Sequence, residues 1–252
     1  METPSLLECR QVTVRFGGLR ALRDVDLTCR QGEILGLIGP NGSGKTTLFN
    51  VITGVLRPEQ GAVYLDGKNI TGQPPHRICH DGIARTYQLV RPFSSLSPHE
   101  NVLAGLAFGR AIGDRLDAGQ EALRLLALVG LADHADHQSS GLTLVQRKRL
   151  EIARALGTSP RLLLLDEVVA GLNPAETESM LDLIGGLRRE GLTLIVIEHN
   201  MRVVMGLSDR VVVLHHGEKL AEGPPDEVSR DPAVVAAYLG QVEVGSAGER
   251  QS

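Results

Sequence analysis

The sequence predicts an α/β protein: a mostly parallel sheet with helices, preceded by an antiparallel β-layer and interrupted by a helical lobe. Three observations carry that prediction. The run Glu33-Ile34-Leu35-Gly36-Leu37-Ile38 passes through a glycine-rich turn into Leu48-Phe49-Asn50-Val51-Ile52, a strand–turn–helix order. Two further apolar runs, Leu162–Leu165 and Leu192–Ile197, read as strands buried on both faces, with helical patterns between and after them. From Asn101 to about Gly157 the spacing is helical and no strand signal interrupts it.

In chain order, Leu6 to Phe16 reads as a strand, with Val12, Val14 and Phe16 alternating against Thr13 and Arg15. Gly17-Gly18 turns the chain, and Val25, Leu27 and Cys29 give a second alternating run. After the glycine-rich turn and its helix, Pro58–Gly61 breaks to a short strand, Ala62–Leu65, and Asp66-Gly67 supplies a hairpin turn. Gln73-Pro74-Pro75 is a second break, and Gly82 to Gln88 reads as a strand ending in an amide. Ser97 can cap a helix begun by Pro98, with Glu100 in its first turn. Ala122, Leu125, Leu126 and Val129 fall on one helix face. Leu150, Ala153 and Leu156 mark another helix, with Arg147, Lys148, Arg149 and Arg154 elsewhere on it. Glu176 to Arg189 and Asn200 to Leu207 are helical, and Val211–Leu214 pairs with Lys219–Glu222 as a hairpin over His216-Gly217. Asp231 to Leu239 can form a last helix, and the small, polar Gly245 to Ser252 is expected to be disordered.

The turn is Gly39-Pro40-Asn41-Gly42-Ser43-Gly44-Lys45-Thr46-Thr47, which fills the pattern G-x-x-x-x-G-K-[ST]. Its glycines let successive N–H groups point inward, and the following helix adds its positive end, so the turn suits phosphate. Lys45 can reach the outer phosphates and Thr46 offers a hydroxyl to Mg²⁺. The loop is therefore expected to bind a nucleoside triphosphate. Asp166-Glu167 closes a buried strand at its C-terminal end, where open α/β sheets bind ligands. There Asp166 can hold Mg²⁺ and Glu167 can orient and deprotonate a water that attacks the γ-phosphate. His199 ends the next buried strand and suits contact with the γ-phosphate or that water. Gln88 also ends a strand and can touch Mg²⁺ or water. Phe16 reads either as an aromatic that stacks on adenine or as a plain strand residue.

The bulk numbers bound the class. The chain has 252 residues, 42% hydrophobic, with a formal net charge of −4, so nothing suggests general attraction to nucleic acid. Three dispersed cysteines, Cys9, Cys29 and Cys79, suit a reducing compartment better than a disulfide framework or a zinc site. Met1-Glu2-Thr3-Pro4-Ser5 carries no basic and apolar signal, and no run reaches the roughly 18 apolar residues of a membrane helix. A guanine-reading N-K-x-D is absent, which argues against a GTPase. A small-molecule kinase would not require Gln88, His199 and the Thr143–Gln146 segment. An ATPase acting on DNA or ribosomes would want basic patches or a long coiled-coil insertion.

Together the phosphate loop, Gln88, Asp166-Glu167, Gly171-Leu172-Asn173-Pro174 and His199 resemble the ATP-binding subunits of ABC transporters over residues 6–240. The phrases Arg85-Thr86-Tyr87-Gln88-Leu89-Val90-Arg91-Pro92-Phe93, Arg149–Leu156 and Ile197-Glu198-His199-Asn200-Met201 look like the branch that imports branched-chain, hydrophobic amino acids. The resemblance implies a P-loop NTPase (RecA-like) core with an N-terminal antiparallel β subdomain and an inserted α-helical subdomain. It places the ATP-binding domain at 1–240, the helical subdomain at 89–158 and a tail at 241–252. It makes Phe16 the adenine-stacking aromatic, Gln88 the Q-loop residue, Asp166 the end of Walker B, Glu167 the catalytic base and His199 the switch histidine. ATP and Mg²⁺ are the implied cofactors, with Thr46, Gln88 and Asp166 at the metal. The loop after Gln88, around Arg91–Glu100, is expected to face permease subunits. A periplasmic solute-binding protein would act indirectly, and the chain would sit in the cytoplasm, peripheral to the inner face of the membrane. Another solute, amide or urea-like, or a soluble non-transport role, is the alternative.

Two departures from the family pattern matter. Where the family's signature loop reads L-S-G-G-Q, this chain has Leu142-Thr143-Leu144-Val145-Gln146. That loop acts in trans on ATP held by the opposite subunit, and Leu144 and Val145 add side chains where glycine allows close approach. The acid usual in the D-loop is Asn173 here, which keeps hydrogen bonding but loses charge. These departures favour a heterodimer with a second ATP-binding subunit, one site strong and one weak, over a homodimer.

Overall fold

The computed structural model describes residues 5–88, 92–109 and 117–245, with side chains through Tyr238. It forms two compact units, one of residues up to Gly72 together with those from Val196 onward, the other Gln73–Ile195. The first unit opens with β1 (Ser5–Phe16) and β2 (Leu19–Arg30), antiparallel across Gly17-Gly18. Their apolar alternation buries Leu7, Cys9, Val12, Val14, Leu22, Val25, Leu27 and Cys29, which fixes the register because a one-residue slip would expose them all. β3 (Ile34–Ile38) is buried at every position and feeds the glycine-rich turn and α1 (Lys45–Ile52). β4 (Gln60–Leu65) pairs antiparallel with β1, and β5 (Lys68–Asn69) returns from it over Asp66-Gly67, so one sheet has the order β2-β1-β4-β5.

In the second unit α2 (Pro75–Asp81) leads to β6 (Ile83–Arg85). Gln73-Pro74-Pro75, expected as a break, is a helix start: Pro75 is its first residue, where the missing N–H costs nothing. β6 ends at Arg85, shorter than expected, and Gln88 lies three residues beyond it. α3 (Pro98–Ala107) is capped by Ser97, which accepts from Glu100 N while the Glu100 carboxylate accepts from Ser97 N. α4 (Ala118–Leu128) and α5 (Leu144–Gly157) follow, with α3 packed on both. β7 (Leu162–Asp166), four leucines and an acid, is buried throughout and runs parallel to β6. Ile83 and Ala84 of β6 are buried as well, as a parallel sheet covered on both faces requires. α6 (Pro174–Arg189) precedes β8 (Thr193–Ile197), along which the chain returns to the first unit.

There α7 (Met201–Leu207) leads to β9 (Arg210–His215), parallel to β3, and β10 (Glu218–Gly223) pairs antiparallel with β9 over His216-Gly217. α8 (Pro225–Val228) and α9 (Pro232–Gly245) close the chain. Ile38, Val204, Val211, Val213, Val228 and Val234 form one buried cluster under them, with Tyr238 packed at its margin. Arg210 ties this unit together. Its guanidinium donates to both Glu33 oxygens at 2.8 and 3.0 Å and to the Thr28 carbonyl, and it also pairs with Glu222.

Candidate functional site

The glycine-rich turn is built by close packing in the first unit. Gly39 has φ 148° and Gly44 φ 105°, both outside the range that side chains favour. A Cβ on Gly39 would land on the Leu214 carbonyl oxygen of β9, and one on Gly44 would lie 2.7 Å from the Ala21 carbonyl of β2. Gly217 N donates to Ser43 O at 3.1 Å, so the β9–β10 turn braces the loop from outside. Inside it, Lys45 Nζ donates to Gly39 O at 2.7 Å and Pro40 O at 3.0 Å, with Ser43 Oγ at 3.5 Å. A buried ammonium thus sits at the centre of a ring of backbone, 6% exposed. α1 begins without any side-chain cap, whereas α3, α5 and α6 each carry a capping box. A helix start of this kind turns N–H groups and a positive dipole end toward an anion, and phosphate carries the matching charge. Thr46 is exposed at that first turn. Phe16, at the end of β1, is 53% exposed and not part of the core. His199 follows β8 and is exposed.

The second unit holds the acids. Asp166 ends β7 at 4% exposure, and its Oδ2 accepts from Arg85 Nη2 of β6 at 2.7 Å. Asp166 N donates to Thr86 Oγ1 at 3.2 Å, which fixes the strand end on that side. Glu167 leaves the strand in the left-handed region, φ 52°, and turns its carboxylate to Gln88, whose Nε2 donates to Glu167 Oε2 at 2.8 Å. The Gln88 amide, expected to touch Mg²⁺ or water, and the Glu167 carboxylate, expected to orient and deprotonate a water, are therefore in contact. Arg85 stacks its guanidinium 5.0 Å from the Tyr87 ring. Next to it Glu151 Oε1 of α5 accepts from Tyr87 N at 3.1 Å. Burial pushes the Glu151 carboxyl up, against the Tyr87 amide and the positive charges of Arg154 and Lys148.

The signature segment is the start of α5. Thr143 is its N-cap: Thr143 Oγ1 accepts from Gln146 N at 3.4 Å, and Gln146 Oε1 accepts from Thr143 N at 2.9 Å. Leu144 and Val145 are thus ordinary first-turn helical residues, with Leu144 43% exposed. With its oxygen turned to Thr143, the Gln146 carboxamide presents nitrogen to His134 Nε2 at 2.8 Å. That nitrogen can only donate, so His134 Nε2 is unprotonated, its hydrogen sits on Nδ1, and it donates to His137 Nδ1 at 3.2 Å. Asn173 has a local duty as well. It caps α6, accepting from Glu176 N at 3.0 Å while Glu176 Oε2 accepts from Asn173 N.

Sequence reasoning missed Arg85, Lys148 and Glu151. It placed Lys148 off the apolar face of α5, but Lys148 is 5% exposed and its Nζ donates to the Glu167 carbonyl at 2.8 Å. Leu89, Val90 and Arg91, which open the loop expected to face permease subunits, lie outside the described residues; of the tail expected at 241–252, α9 takes the part through Gly245 and residues 246–252 lie outside them.

Comparison with known proteins agrees with this geometry. The ABC transporter family model matches residues 22–170, and a branched-chain amino acid ATP-binding cassette transporter model matches residues 218–244. The high-affinity branched-chain amino acid transport ATP-binding protein LivG of Salmonella typhimurium is 42% identical, covering 94% of this chain and 98% of its own length. BraF of Pseudomonas aeruginosa, described in the same words, is also 42% identical over the same shares. A crystal structure of an ATP-binding cassette of an ABC transporter in its ADP conformation superposes with a TM-score of 0.86 at 33% identity, covering 94% of this chain and all of that one. A dimeric bacterial ABC transporter cassette gives 0.77 at 28% identity, over 87% of this chain and 98% of its own. Phosphate loop, acid-closed strand and capped signature helix thus lie in a sequence that matches along nearly its whole length, and the chain belongs to the ATP-binding subunits of ABC transporters.

Proposed function

We propose that this chain binds and hydrolyses ATP to drive import of branched-chain or other hydrophobic amino acids, docked on permease subunits at the cytoplasmic face of the membrane. The observation that carries the reading is the braced Gly39–Thr47 turn closing on Lys45 at an uncapped helix start, in a chain whose relatives are named for branched-chain amino acid transport. Among the described residues no helix is long and apolar enough to cross a membrane, which suits a subunit that relies on permeases for attachment. A periplasmic solute-binding protein selects the solute and acts on this chain only through them.

The loop amides of Gly39 to Thr47 and the Lys45 ammonium take the phosphates, and Phe16 stacks on the adenine. Mg²⁺ fits the donors present, because the Thr46 hydroxyl, the Gln88 amide oxygen and the Asp166 carboxylate are hard oxygen ligands. Bound there, it would neutralise phosphate charge. Arg85 holds Asp166 in one rotamer, Gln88 orients the Glu167 carboxylate, and Glu167 takes the proton of the attacking water. His199 contacts the γ-phosphate. Thr143, Leu144, Val145 and Gln146 face ATP held by a second ATP-binding subunit. A heterodimer suits this arrangement, because Thr143 and Gln146 are engaged in the helix cap and Leu144 covers ground that glycine would leave open.

The test is ATP turnover by the detergent-purified transporter, with and without binding protein and leucine. Turnover should rise with loaded binding protein, and Lys45→Ala should lose nucleotide affinity and turnover together. Turnover unchanged by Lys45→Ala would sink the nucleotide assignment. A transporter unmoved by any branched-chain amino acid would sink the substrate assignment.

A further inference from the structure

Helix α5 buries charge on one side. Lys148 and Glu151, three residues apart and so neighbours on the helix surface, are 5% and 4% exposed. Charged side chains go so deep only when partnered, so their partners say what they are for. Lys148 Nζ donates to the backbone carbonyl of Glu167 at 2.8 Å, and Glu151 Oε1 accepts from Tyr87 N at 3.1 Å. Each partner belongs to one of the two segments whose side chains meet in the Gln88–Glu167 hydrogen bond. Two adjacent charges on one helix therefore hold, by backbone, the two loops that present the water-activating pair. The Glu167 peptide needs such a hold. At φ 52° a glutamate is in a conformation few side chains adopt, and its carbonyl is otherwise fixed by Ala170 N at 3.3 Å. Arg154, 3.9 Å from Glu151 Oε1, completes the charge on that face.

We infer that Lys148 and Glu151 are positioning residues for ATP hydrolysis: from the helix that begins at the signature segment they set where Glu167 and Gln88 stand. The inference rests on Glu167 being the base, as proposed above. It also gives α5 two roles, since one end carries the segment that serves a partner's nucleotide and its second turn holds this chain's own base. Geometry of this kind acts on rate more than on affinity, since a displacement of about 1 Å in a reacting group can cost up to about 100-fold.

The experiment is single-turnover ATP hydrolysis by the assembled transporter carrying Lys148→Met, Lys148→Arg, Glu167→Gln or the pair Lys148→Met and Glu167→Gln. Lys148→Met should slow hydrolysis about 10- to 100-fold with nucleotide affinity unchanged, and Lys148→Arg, which keeps a donor, should recover most of it. The double variant should be no slower than Glu167→Gln alone, because the lysine acts only through the glutamate. A Lys148→Met rate within about twofold of wild type, or a double variant slowed by the full product of the two effects, overturns the inference. If Lys148→Met folds poorly by its thermal midpoint, Lys148→Gln carries the same cycle. Loss of hydrolysis in Glu167→Gln with none in Lys148→Met sinks only the positioning role. An unaffected Glu167→Gln sinks the base assignment and this inference with it.

Discussion

Arg85→Met is the sharpest test of how the acid end of β7 is held. Arg85 and Asp166 are 5% and 4% exposed by side chain and meet at 2.7 Å. Two unit charges with centres about 4 Å apart attract by about 4 kcal/mol at an effective dielectric of 20, most of which offsets their desolvation. The pair is thus worth little against an apolar substitute, but half of it is costly to remove. Methionine fills much of the arginine volume and leaves the Asp166 carboxylate buried without its cation, a loss of about 3–5 kcal/mol. For a chain of this length that lowers the thermal midpoint by roughly 6–20 °C. Adding Asp166→Asn to Arg85→Met removes the stranded charge and should restore most of the stability while leaving hydrolysis defective. Scanning fluorimetry and urea titration of wild type, Arg85→Met, Asp166→Asn and the double variant give the cycle. Arg85→Met within about 1 kcal/mol of wild type, or a double variant no more stable than Arg85→Met, means that Arg85 does not hold Asp166 through its charge.

Gly39→Ala places a methyl on the Leu214 carbonyl at a φ of 148°, and should cost about 2 kcal/mol or more with nucleotide affinity lost, read by thermal midpoint and ATP titration. Asn173→Ala should cost about 1 kcal/mol by uncapping α6, whereas Asn173→Asp, an equal cap, should stay near wild type in denaturant titration. Burial pushes the Cys9 thiol up to about 12 and the Cys29 thiol well above its ordinary value. At pH 8 a disulfide reagent should therefore reach half-buried Cys79 first and the other two only on unfolding, as peptide mapping of the labelled protein will show. Glu151 binds its proton more tightly folded than unfolded, so it lowers stability as pH rises above 4.5 through its raised folded value. Glu151→Gln should flatten that part of the stability–pH curve.

The phosphate loop and the acid end of β7 were legible because their signals are local. A glycine pattern between a strand and a helix, or four leucines before two acids, needs no knowledge of the rest of the fold. Lengths were less legible. β6 stops at Arg85, next to the point where Asp166 N donates to the Thr86 hydroxyl, a partner 80 residues away. Arg85 and Lys148 were invisible for the same reason, since their partners are 81 and 19 residues distant and a lone charge usually marks a solvated face. Periodicity assigns Lys148 to water although it points inward. The true start of α6 is written locally: Asn173-Pro174 followed by Glu176 is a capping box with proline at the first helical position, which begins the helix at Pro174 rather than Glu176. Pro74-Pro75 misleads because proline marks helix starts as well as breaks.

The chain of hydrogen bonds from Thr143 through Gln146 to His134 and His137 has a direction, set by which atoms can only give a proton. His134 is locked as the Nδ1–H tautomer by an amide that is itself locked by a helix start. Nitrogen resonances of an imidazole distinguish its tautomers, so this ring is a built-in gauge. Its spectrum, read with isotope-labelled histidine, records whether the first turn of α5 keeps its shape when ATP and a second ATP-binding subunit are added, with no foreign probe attached.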